Sequence, residues 1–162
     1  MEFGWTNTRR ALEAYGQRLI DKYRDNLKEG NSFATGNLYN NLSYEVNILE
    51  TRFEVVITLE DYWRYVEDGR RAGGKMPPIT AIENWIKAKP VIPRMDSRGR
   101  TPTVRQLAFL IARSIGIKGI EPKKPFQRAY DSLLDGLYAE LREAVAADAK
   151  NYVISAISYK RS

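Results

Sequence analysis

Between residues 42 and 59 the hydrophobic pattern changes period, and this constrains the fold more than anything else in the chain. Leu42, Tyr44, Val46 and Ile48 alternate with polar residues, and Phe53, Val55, Ile57 and Leu59 do the same after a four-residue gap. Period two sends successive side chains to opposite faces of an extended strand, so the two runs predict an antiparallel β-hairpin that turns at 49–52. No Asn-Gly pair is present there to define the turn type. A hairpin alone is only marginally stable in water, so this one needs helix cover or strands from another subunit.

The flanking chain has helical period. Leu12, Tyr15, Leu19, Tyr23 and Leu27 recur at three- and four-residue steps and predict an amphipathic helix over 5–29, started by Thr6 or Asn7 and ended by Gly30. Asn31 to Leu38 has loop composition. A short helix is expected over 62–68, followed by a basic, glycine-rich loop over 69–76. The helix expected over 78–87 starts on Pro77 and Pro78, carries Ile79, Ile82, Trp85 and Ile86 on one face, and stops at Pro90 and Pro93. Residues 90–102 read as a mobile basic loop with Arg94, Arg98 and Arg100. Val104, Leu107, Ala108, Leu110 and Ile111 predict a helix over 103–114, capped by Thr101 and closed by Gly116. A last long helix runs from Phe126 through Leu133, Leu134, Leu137, Leu141 and Val145, and Tyr152, Val153, Ala156 and Ile157 still fit helical spacing, with Asp148 the place where the pattern allows a break. The expected fold class is α+β: an N-terminal helix, a hairpin, several short helices and a long C-terminal helix around a small sheet.

Composition narrows the chemistry. The 162 residues, 43% hydrophobic, suffice for one core, and no apolar run approaches the roughly 20 residues that span a bilayer. The first residues, with Glu2 and no apolar core segment, do not read as a secretory signal. There is no cysteine and no histidine, which removes disulfides, the usual zinc sites, thiolate nucleophiles and imidazole catalysis. No phosphate-binding loop or paired metal-carboxylate signature is visible. The expectation is a protein without catalytic, cofactor or metal site. A net charge of +6, from 26 basic and 20 acidic residues, suits an ordinary solvated surface and also allows contact with nucleic acid or an acidic protein.

Three segments carry a resemblance: Thr35-Gly36-Asn37-Leu38, Tyr65-Val66-Glu67-Asp68-Gly69 and Pro125-Phe126-Gln127-Arg128-Ala129. In their order and spacing the chain resembles the head-tail joining and tail-completion proteins of tailed bacteriophages. There a first helix leads through a small-residue loop into a hairpin, then an aromatic Val-Glu-x-Gly element, and a Pro-Phe element opens the final helix. The chain departs from the compact members at about 77–116, which looks like the insertion of longer versions. The resemblance implies one domain over 1–162 with that helical and basic-loop insertion. It implies a virion structural protein of the neck, assembled in the host cytoplasm, forming a homo-oligomeric ring around the DNA channel between portal-side and tail-side proteins.

The residues expected at subunit or partner interfaces are Trp63, Tyr65, Glu67, Gly69, Arg70, Arg71, Lys75, Arg94, Arg98, Arg100, Pro125 and Phe126. Glu67 beside Arg70, Arg71 and Lys75 can form charge-assisted pairs that pin the loop or bridge subunits. The arginines can meet an acidic neighbour, or make nonspecific phosphate contacts with DNA in the channel. The rival expectation is a small basic nucleic-acid-binding protein using the same cations. No membrane partner is expected.

Overall fold

A computed structural model of the chain describes residues 4–30, 40–50, 52–60, 63–89, 91–95 and 99–159. Among them are helix α1 (Thr6–Glu29), strands β1 (Ser43–Ile48) and β2 (Phe53–Thr58), and helices α2 (Trp63–Glu67), α3 (Ile79–Ala88), α4 (Val104–Lys118) and α5 (Pro125–Tyr159). The fold is α+β, with the N-terminal helix, the two-stranded antiparallel sheet, the short helices and the long C-terminal helix that the change of period requires. The chain divides into two compact units. The first takes 1–26, 42–59 and 126–162; the second takes 27–41 and 60–125, and so contains the segment expected as an insertion.

In the first unit the hairpin forms in the register that the alternation demands. Tyr44 faces Ile57, Val46 faces Val55 and Ile48 faces Phe53, so these apolar residues share one side of the ribbon, while Val56, opposite Glu45, lies on the other. The Leu49 amide donates to the Arg52 carbonyl at 3.0 Å to close the turn. The cover comes from α1, whose Leu12, Tyr15, Leu19 and Tyr23 are buried together with Ile20. Trp5 meets Phe53 edge to face with centroids 4.9 Å apart, and Arg9 donates to the Val46 carbonyl at 3.3 Å. At Gly16 a Cβ would fall 2.5 Å from the Tyr44 ring, so the bare glycine is what lets that ring lie on the helix.

Helix α5 runs antiparallel to α1, because the contacts between them appear in opposite order along the two helices. Asp148 bonds Asn7 and Thr8, Glu140 pairs with Arg18 at 2.5 Å, and Phe126 meets the Tyr23 ring at 5.7 Å. One expectation is corrected here. Neither the Thr6 nor the Asn7 side chain caps its own helix; the Asp148 carboxylate does so from α5. The helix also continues through Asp148, without the break that the sequence pattern allows there. An aspartate interrupts a helix when its side chain competes for nearby backbone, and this one is committed to another helix.

In the second unit α3 packs against α4. Ile86 is buried on α3, and the face of α4 turned inward is Ala108, Ala112 and Gly116, one small residue per turn. Small residues let two helix backbones approach closely, and the larger Phe109, Leu110 and Ile117 are left exposed. Of the five apolar residues that predicted this helix, Ala108 is buried and Leu110 is exposed. The cap is also shifted. Thr103, not Thr101, accepts from the Gln106 amide, and the Gln106 side chain accepts from the Thr103 amide, a reciprocal capping box. The helix passes through Gly116, where a Cβ would press on Met76 at 3.1 Å, and ends at Gly119. The expected 31–38 loop, with its Thr35 to Leu38 motif, lies outside the described residues.

Candidate functional site

Two segments that stood out in the sequence, 65–75 and 119–125, are brought together in the second unit as one joint. Arg70 and Ile120 form an isolated antiparallel bridge, each amide donating to the other's carbonyl at 2.8 Å. Glycines sit at both crossing points. Gly69 has φ +68°, and a Cβ there would lie 2.2 Å from the Ile120 carbonyl oxygen; Gly119 has φ +75°, and its Cβ would lie 2.2 Å from the Arg70 carbonyl oxygen. Both positions therefore need a residue that accepts positive φ and also has no side chain. The joint continues as the Lys123 and Lys124 amides donate to the carbonyls of Val66 and Glu67, at 3.4 and 3.2 Å. On its other side the Gly73 amide reaches the Ile117 carbonyl at 3.3 Å, and the Lys123 ammonium donates to the Gly30 carbonyl.

The geometry sorts the expected interface residues. Tyr65, Arg71, Lys75, Arg94 and Arg100 are exposed, whereas Trp63, Arg70 and Phe126 are half-buried. Glu67 and Pro125 are buried, Glu67 to 7% exposure, and belong to the interior of the fold. Arg98 lies outside the described residues. Among the described residues, Glu67 makes no ion pair within the chain to Arg70, Arg71 or Lys75. The Arg70 guanidinium instead donates to the Lys75 carbonyl, within its own loop, and lies 6.0 Å from the centre of the Tyr65 ring. The joint holds through backbone bonds, and so leaves Arg71 and Lys75 outward on a rigid turn.

A second feature of this unit is a groove of about 1100 Å³ along α4 and the chain entering it. Arg94 and Arg100 line it, together with Arg105, Phe109 and Leu110, which the sequence reading did not single out as surface residues. The signal for them was present: α4 has apolar residues on more than one face, more than a single buried stripe needs.

Charge inside the first unit is handled differently. Asp148 is 3% exposed, and burial alone would raise its pKa. Bonds from the backbone and side chains of Asn7 and Thr8, at 2.8 to 3.0 Å, outweigh that and hold the carboxyl below its usual range. Tyr15 shows the opposite balance. Burial and the neighbouring Tyr130 phenol push its pKa up, Arg18 offsets part of this, and its hydroxyl has no protein partner among the described residues.

Among the described residues, no group of three or more Asp and Glu side chains is placed to hold a metal ion, and no helix is long and apolar enough to cross a membrane. Compared with protein-family models, with curated proteins and with solved structures, the chain finds no match.

Proposed function

We propose that the chain is a structural protein of the bacteriophage neck, a subunit of a ring that joins or completes the head-tail connector around the DNA channel. The observation that carries this reading is the joint: the Val-Glu-x-Gly segment of the resemblance is locked by backbone bonds to residues 120–124, the stretch that leads into the Pro-Phe element. Motifs of this sort hold a subunit's shape while leaving its surface to vary, which suits a scaffold rather than a catalyst. Exposed apolar side chains add support. Val153, Ile154 and Ile157 on α5 are each more than half exposed, a surface that assembly would cover.

In this reading the partners are further copies of the chain and the portal-side and tail-side proteins, the location is the virion, and no cofactor is used. A closed ring needs heterologous contacts, one face meeting a different face of the next copy. The rival, a small basic nucleic-acid-binding protein, draws support from the exposed Arg71, Lys75, Arg94 and Arg100. It predicts duplex binding that falls steeply with salt.

Mass spectrometry of purified, DNase-treated virions separates the two. The expected result is this chain at fixed stoichiometry, with Lys75, Lys87 or Lys124 crosslinked to portal or tail proteins. Its absence from particles overturns the neck role.

A further inference from the structure

We propose that the groove along α4 in the second unit is a docking site for an acidic, apolar-anchored segment of a partner protein. Its floor is apolar and open: Ile92 is 86% exposed, Leu110 54% and Phe109 44%. Its rim is cationic, and neither Arg94 nor Arg105 has an ion-pair or hydrogen-bond partner among the described residues. A helix about 10–12 Å across fits a volume of this size for about two turns. A short segment is therefore the right scale of occupant.

Charge identifies its chemistry. Residues 77–118 contain eight Lys and Arg against two Asp and Glu, while the rest of the chain contains eighteen of each. The entire net charge of +6 thus lies on the stretch that builds this groove. Such a field attracts an acidic partner and steers its approach. Because the remainder is balanced, a second copy of the chain brings no acidic excess to meet it.

The floor distinguishes an acidic protein from nucleic acid. A phosphate backbone would satisfy the arginines but leave Ile92 and Leu110 in water, and Phe109 is the single aromatic ring of the lining on which a base could stack. A segment with Leu or Phe anchors between carboxylates covers the floor and pairs with the rim together.

The proposal goes beyond the neck role, because its test needs only the purified chain and does not depend on what virions contain. Four fluorescein-labelled probes are titrated at about 150 mM salt and read by anisotropy. One is a peptide with Leu and Phe at helical spacing and Glu elsewhere. The second replaces each Glu with Lys, the third replaces each Leu and Phe with Gln, and the fourth is a short DNA duplex. The expected result is that the first binds roughly tenfold tighter than the others. Arg94→Glu with Arg105→Glu, and separately Leu110→Asp, should each weaken it by at least about tenfold while circular dichroism is unchanged. Equal binding of the Lys or Gln peptide, or no binding of the first, overturns the proposal. DNA binding that is tighter and is lost in the same variants assigns the groove to nucleic acid instead.

Discussion

At the scale of single residues, the side chain with most consequence is Asp148. Its two oxygens accept four hydrogen bonds from Asn7 and Thr8, satisfying amides that the first turn of a helix leaves without partners. An Asn in its place turns an amide group toward these donors, so Asp148→Asn should cost about 2–4 kcal/mol in urea unfolding at pH 7. The pH dependence follows from the depressed pKa. The contribution is complete above the ordinary carboxylate range and disappears as pH falls through the lower folded value. Wild-type stability should therefore drop more than that of Asp148→Asn between pH 5 and 3. Equal slopes would mean that folding does not lower the pKa of this carboxyl. Such a cap could not be read from the sequence, because local rules look for an acceptor at the helix start, where Thr6 and Asn7 stand ready.

At the scale of elements, what was legible and what was not divide by range. The hairpin was visible residue by residue because its period is local and one face is buried, and the α1 stripe for the same reason. The joint was not. Gly69 and Gly119 each read as an ordinary helix-ending or loop glycine, and nothing in either neighbourhood announces that they cross. α4 was legible as a helix but not in its buried face: Ala108, Ala112 and Gly116 are buried, while the larger Phe109, Leu110 and Ile117 are exposed. The joint has its own prediction. Gly69→Ala and Gly119→Ala should each cost at least about 1–3 kcal/mol, because each forces a side chain to positive φ against a carbonyl. The double variant should cost less than the sum, since either change alone opens the same Arg70–Ile120 bridge. Strict additivity in chemical denaturation would show that the bridge contributes little.

For the whole molecule, the connectivity matters most. The chain passes from the first unit to the second and back twice, so neither unit is made from one continuous stretch. A chain stopped after Pro125 retains α1 and the hairpin but lacks α5, and with it Asp148, Glu140 and Phe126. Hydrogen exchange should find the amides of Thr8, Leu12 and Leu19 protected in the full chain and close to unprotected in the shortened one. Protection in both would show that α1 and the hairpin stand without α5. The same separation of 140 residues between Thr8 and Asp148 has a meaning in time. At about 5–20 residues per second, the ribosome delivers the aspartate about 7–28 s after the helix it completes. Helix α1 is thus synthesised long before it can be finished. A product released early keeps its oily α1 surface bare, and chaperones and proteases can recognise it before it enters an assembly.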